Sequence, residues 1–255
     1  MPILANELID TVIDFLHEDR SSLRACALVS KSCLPSARYH LFSVIAINAS
    51  NFPSFLRLIE SASHIGPLVR GLQVFDQCTA GEGSEFMAQN MSRIAPSLQN
   101  VIFLKIKFHG WDFRNLETLE QSLVHAFGTK IRHLQLHSQT FRSFSHATDF
   151  ICHFSNLRHL ETFWIWWSLD NDPYTVRRLR TLEPLTVHTG EIAEGKVILL
   201  LAWLHIQHPP PKVISATFCV SDLIPHNAIP STFGKTLQTL YLSKIRRRLR
   251  GTCTI

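Results

Sequence analysis

The sequence predicts a mixed α/β chain in which a short helical segment leads into an irregular solenoid of strand-plus-return repeats. Three observations carry that expectation. The first forty residues divide into three short apolar patterns of helical spacing, seven apolar triplets then recur at intervals of 24 to 33 residues, and most intervals hold a further helix-like stretch. With 255 residues, 45% apolar and 18% charged, the chain has enough apolar mass for a core and too little charge for a disordered polypeptide.

In the first helical pattern Leu8, Val12 and Leu16 repeat at helical spacing and Ile9 and Ile13 widen the stripe. Asn6 is the expected N-cap, and Glu7 and Asp10 suit the positive end of the helix dipole. Asp19, Ser21 and Ser22 offer caps for the second pattern, ahead of Leu23, Cys26, Ala27 and Val29. In the third, Pro35 sits where a first-turn proline is tolerated, and Tyr39, Leu41 and Phe42 supply bulky apolar cover. Helices of about ten residues are marginal alone. These three hold more large apolar side chains than they bury among themselves, so a partner surface is expected to take the excess; a self-contained helical subdomain would show the same stripes.

The triplets place apolar residues, with Thr162 the one exception, at the first, fourth and sixth positions of a short segment: Val69-Leu72-Val74, Leu98-Val101-Phe103, Ile131-Leu134-Leu136, Leu157-Leu160-Thr162, Leu182-Leu185-Val187, Val213-Ala216-Phe218 and Leu237-Leu240-Leu242. One such unit cannot bury its apolar face, whereas stacked neighbours share a continuous core. Helix-like returns are expected at Phe52 to Ser63, Phe86 to Ile94, Leu116 to Ala126, Ser145 to Phe154 and Ile192 to His205. The Pro209-Pro210-Pro211 run ends the last of them. A generic alternation of strands and helices explains the same periodicity and stays open.

The order and spacing of Leu4, Glu7, Leu8, Ile13, Leu16, Leu28, Val29, Lys31, Leu41 and Phe42 resembles an F-box, in particular the form common in mushroom-type fungi. The following body resembles the irregular leucine-rich repeats that often accompany an F-box. The resemblance implies an F-box at 1–45, a degenerate leucine-rich-repeat-like substrate-binding region at 46–244 and a basic tail at 245–255. It also implies a non-catalytic substrate adaptor of a Skp-cullin-F-box ubiquitin ligase, docking a Skp-type adaptor through Leu4, Ala5, Leu8, Leu28, Val29, Cys33, Leu41 and Phe42. Ala5 stands where the family usually has proline, and Cys33 where it usually has tryptophan. These departures leave a second reading, an interaction scaffold with a decayed F-box and no role in ubiquitination. The turn-bonding Asn of regular repeats is replaced by Gln77, Ile106, Gln139, Ile165, Gly190, Ser221 and Ile245. The chain stops soon after the last triplet without a recognisable polar cap, and whether the C-terminus is complete stays open.

The formal charge of +5 is local, because residues 223–255 carry six Lys and Arg and no acid. Lys244-Ile245-Arg246-Arg247-Arg248-Leu249-Arg250 is short and lacks interleaved aromatics, which points to a solvated terminus before nucleic acid or an import address. Six cysteines without a C-x-x-C pair give neither a zinc ribbon nor a redox dithiol. Glu7, Asp10 and Asp14 interrupt what a secretory leader would need, so a cytoplasmic or nuclear location is expected. The longest apolar run, Ile198 to Ile206, falls short of the roughly 20 residues of a spanning helix. No nucleophile elbow, phosphate loop, dinucleotide fingerprint or H-E-x-x-H is present, and Gly81-Glu82-Gly83-Ser84 reads as a flexible connection. No enzyme activity, cofactor or resident metal is expected.

Period-two alternation puts His133, Gln135 and His137 on one outward face. His159, Glu161 and Phe163 follow one repeat later, and His188 one further. Imidazoles and a carboxylate on a concave surface suit a transition metal or a phosphorylated partner, and these seven residues are the candidate substrate contacts; chance clustering among 14 histidines is the competing account. In Phe163-Trp164-Ile165-Trp166-Trp167, Trp164 and Trp166 are expected on one side with Ile165 and Trp167 on the other. The outward side would be a binding hot spot or cover beneath the Asp170 to Pro173 turn, with core packing alone the competing and favoured account.

Overall fold

The computed structural model describes residues 5–76, 82–108, 116–169, 176–180, 185–190, 196–219 and 235–243. Leu4, the Asp170 to Pro173 turn and the 245–255 tail lie outside them. The chain is mixed α/β and divides into two compact units, Met1–Arg132 and His133–Ile255, each with parallel strands alternating with helices.

The first unit opens with α1 (Asn6–Phe15), α2 (Arg20–Val29) and α3 (Leu34–Ser43). Ile13, Leu23 and Ala37 meet at their centre, with Ile9, Leu16, Cys26, Ala27, Cys33 and Leu41 packed around them. Small Ala37 and Ala27 permit the close approach. Asp19 caps α2 as expected, its carboxylate accepting from the Ser21 and Ser22 amides at 3.0 and 3.1 Å and from both hydroxyls. Those bonds hold its carboxyl well below the usual range. Asn6 is not the cap of α1. It begins the helix, and Ala5 occupies the capping position without a side-chain bond. Asp10 accepts from the Ser36 hydroxyl and Asp14 bonds His40 Nε2 at 2.7 Å, tying α1 to α3.

Then follow β1 (Val44–Ile47), α4 (Phe52–Ser61), β2 (Gly71–Asp76), α5 (Glu82–Ile94), β3 (Phe103–Phe108) and α6 (Leu116–Phe127). The strands run parallel in the order β1-β2-β3, with Ile45, Leu72 and Leu104 in register. Leu72, Val74, Leu104 and Ile106 are buried on one side, while Gln73, Phe75, Lys105 and Lys107 stand half-buried on the other. The expected loop at Gly81 to Ser84 is corrected: Glu82 to Ser84 form the first turn of α5, and Gly81 lies outside the described residues. Gly66 is required by a close backbone approach, because a Cβ there would collide with the Ser97 carbonyl.

The second unit contains β4 (His133–His137), β5 (Thr140–Ser143), α7 (Phe144–Cys152), β6 (His159–Phe163), β7 (Trp166–Leu169), β8 (Thr186–Thr189), α8 (Lys196–His205), β9 (Lys212–Cys219) and β10 (Thr239–Ser243). Its main strands are parallel in the order β4-β6-β8-β9-β10, and β5 pairs with β7 in a separate parallel ribbon. Ser143 caps helix α7, its hydroxyl accepting from the His146 amide at 3.1 Å. Helix α8 is apolar on nearly every side and buries Val197, Leu200, Leu201, Trp203 and Leu204, so it is a core helix; among the described residues no helix is long and apolar enough to cross a membrane. Just past α8, buried Gln207 accepts from the Leu179 amide at 2.8 Å and donates to the Trp203 carbonyl at 2.5 Å. Trp203 Nε1 donates to the Arg177 carbonyl at 2.8 Å.

Three pairings depart from the expected triplets. The strand partner of Leu72 is Leu104, so the second repeat reads Val101-Leu104-Ile106, the partner of Leu160 is Val187, two residues after the expected Leu185, and the partner of Val187 is Val213, three residues before the expected Ala216. Leu98 and Leu185 are buried too, which is why they mimic strand positions. Leu182 lies outside the described residues. One hydrogen bond recurs where the strands begin: Arg70 N to Ser43 O, Ile102 N to Arg70 O and Arg132 N to Ile102 O in the first unit, then Thr186 N to Arg158 O, Lys212 N to Leu185 O and Gln238 N to Ile214 O in the second, all 2.7–2.9 Å.

The Trp cluster divides as alternation requires, with Ile165 and Trp167 buried and Trp164 and Trp166 exposed, but not within one strand. The chain breaks between β6 and β7 at Trp164, whose φ is 59°. Trp167 packs against Phe144 at 5.1 Å between ring centroids. Thr162 and Thr189, in register on β6 and β8, are buried, and neither hydroxyl has a partner among the described residues. Cys152 is buried and its thiol is pushed up to about 12 by desolvation.

Candidate functional site

Two surfaces gather the residues singled out in the sequence, one in each unit. On the first, the stripe of α1 divides. Ile9, Ile13 and Leu16 turn inward, whereas Leu8, Val12 and Phe15 form an outward row at i, i+4 and i+7. At the end of α2, Leu28 and Val29 project with 89% and 80% of their surface open, and Phe15 with 80%. These five residues leave water only if something covers them. Ala5 is exposed, Phe42 is half-buried, and Cys33 and Leu41 are half-buried against the three-helix core. The expected contact set therefore separates into an open part, Ala5, Leu8, Leu28 and Val29, and a part whose packing lies mainly inside. Val12 and Phe15 were not among the expected contacts. Helical spacing alone does not say which side of a widely apolar helix faces in; counting the apolar residues against the size of the three-helix core would have flagged them.

On the second unit, the outward side of the main sheet brings the expected polar residues together in rows. His133, His159, Thr186 and Lys212 are in register across β4, β6, β8 and β9. The next row is Gln135, Glu161, His188 and Ser215, and beyond it His137 lies beside Phe163. Beneath them Leu134, Leu136, Leu160 and Val187 are fully buried. That burial fixes the register, because a one-residue slip would put every imidazole in the core.

The carboxylate of Glu161 is held at both oxygens, by His133 Nε2 at 2.8 Å and by Gln135 Nε2 at 2.7 Å. The His133 and His159 rings lie 5.7 Å apart, and His137 packs on Phe163 at 5.8 Å. His188 Nδ1 bonds the Ser215 hydroxyl at 2.9 Å. Partial burial first, then the His133 and His188 imidazoles, hold His159 below the usual histidine range; Arg158 adds to this and Glu161 opposes it. Lys212 and Ser215 belong to the face but were not expected; Lys212 pairs with Thr186, and the bulge between Val187 and His188 then brings Ser215 beside His188.

Among the described residues no three His, Cys, Asp or Glu side chains are placed to hold one metal ion, so the face does not have the geometry of the transition-metal site its composition suggested. The arrangement supplies hydrogen-bond donors and imidazoles, one of them, His188, in contact with the Ser215 hydroxyl. No protein-family model, no curated protein and no solved structure matches the chain.

Proposed function

We propose that the chain is a non-catalytic adaptor. In this reading α1–α3 are an F-box that docks a Skp-type adaptor of a cullin RING ubiquitin ligase, in the cytoplasm or nucleus, and the strand–helix body is a leucine-rich-repeat-like surface that captures a protein substrate. The observation that carries it is the outward apolar set Leu8, Val12, Phe15, Leu28 and Val29 on helices too short to be stable alone. An amphipathic helix with anchors one turn apart is a recurrent docking element. Ubiquitin transfer then belongs to the partner enzymes, and the adaptor's contribution is to raise the local concentration of substrate lysines.

The second reading, a scaffold with a decayed F-box, is favoured by Cys33. This small side chain packs inward at the position where the family usually presents tryptophan. Losing a buried Trp contact costs an interface about 2 kcal/mol or more.

Co-expression with a Skp-type adaptor separates the two. The wild-type chain is expected to co-purify with it, and a Leu8→Asp, Leu28→Asp variant to lose the complex while keeping its circular dichroism and its stability to within about 0.5 kcal/mol, as for exposed substitutions. A folded wild-type chain that forms no complex would put the scaffold reading first.

A further inference from the structure

The polar face of the second unit carries chemistry that adaptor docking does not use. Across β4, β6, β8 and β9 the groups that titrate or carry charge are His133, His137, His159, Glu161, His188 and Lys212, with Arg158 at the start of β6. Glu161 is the one carboxylate among these, and both of its oxygens already accept hydrogen bonds. The outward capacity that remains is cationic or N–H-donating. The exposed His159 side chain makes no hydrogen bond among the described residues, His188 uses Nδ1 on Ser215, and Lys212 is exposed. The rigid register of the strands fixes the spacing of these donors. A fixed array of this kind complements carboxylates, which accept at two oxygens each.

We propose that this face binds an acidic, carboxylate-rich peptide segment of a partner protein through His159, His188 and Lys212, and binds it more tightly as the solution becomes mildly acidic. The inference rests on the adaptor reading only in calling that partner a substrate. In the free chain partial burial and the neighbouring cations disfavour the proton on His159; a carboxylate placed beside it reverses that balance, so binding takes up protons.

The test is fluorescence anisotropy of the full chain with a labelled hexaglutamate peptide flanked by Gly and Ser, beside its glutamine and phosphoserine counterparts, at about pH 7.5 and about pH 5.8, which bracket histidine titration. At the lower pH the hexaglutamate peptide is expected to bind at least about ten-fold more tightly than the glutamine peptide, and a His159→Asn, His188→Asn variant to lose most of that margin and its pH dependence. A control variant, His17→Asn with His64→Asn, removes two exposed imidazoles from the first unit and should bind as the wild type does. Leu8→Asp should leave peptide binding unchanged while abolishing the adaptor complex, so the two proposals fail separately. Equal affinity for the glutamine peptide overturns the inference. An equal loss in the control variant does so too, by assigning the binding to net charge, and so does binding of the phosphoserine peptide alone.

Discussion

The N-terminal helices and the strands of the second unit dispose of their apolar residues in opposite ways. In α1 and α2 Ile13 and Leu23 lie fully inside, while Leu8, Val12, Phe15, Leu28 and Val29 face outward. In β4, β6 and β8 the apolar positions Leu134, Leu136, Leu160 and Val187 are all buried, and the outward positions are imidazoles, one amide, one carboxylate and one hydroxyl, with Phe163 the apolar exception. The second pattern is what a chain needs in order to fold in water. The first exceeds that need. The difference teaches where to look for each property: stability resides in the inward strand positions, and an apolar partner belongs on α1 and α2.

Substitutions that cross this divide should have unequal effects. Leu160→Ala deletes a fully buried side chain from the middle of the sheet and should lower the unfolding free energy by about 3 kcal/mol, read from the urea midpoint at constant slope. Leu28→Ala serves as its comparison. A Leu28→Ala loss of similar size would mean that α2 buries that residue and would erase the contrast.

A smaller effect of opposite sign is expected at Thr162, whose buried hydroxyl has no partner among the described residues. Thr162→Val keeps the shape and removes an unsatisfied polar group, so it should stabilise by about 1 kcal/mol in the same measurement. Destabilisation would show that the hydroxyl has a structural partner.

The smallest effect concerns pH. His159 is held below the usual histidine range in the folded state. Well above that range neither the folded nor the unfolded chain protonates it, and stability is unaffected. As pH falls through the usual histidine value the unfolded chain takes up the proton first, so stability declines until the folded-state value is passed. His159→Asn should therefore flatten the fall in urea midpoint between about pH 7.5 and about pH 5.5. An unchanged fall would mean that His159 titrates alike in both states.

Much of this was legible in the sequence because each signal was local or strictly periodic. Asp19 followed by two serines is a cap wherever it occurs, the apolar spacing placed α4 through α8, and period two alone put His133, His159, Glu161 and His188 on one side. What escaped was decided by contacts remote in sequence. β1, β5 and β7 have four residues each, too few for alternation to stand out, and are strands because a neighbour pairs with them. The side of α1 that faces inward was set by Leu23 and Ala37 on other helices, and Ser215 came to lie beside His188 only through a bulge.

The hydrogen bond that recurs where the strands begin has a consequence for how such a chain can change over generations. Each bond joins a residue to its counterpart one repeat earlier, and the sequence separating donor from acceptor ranges from 24 to 32 residues while the bond length stays at 2.7–2.9 Å. Insertions and deletions are therefore absorbed in the returning segments, away from the outward strand positions. Repeat length is free to drift while the rows of side chains on the open side keep their spacing, so a lineage of such chains could lose its recognisable period and still present the same surface.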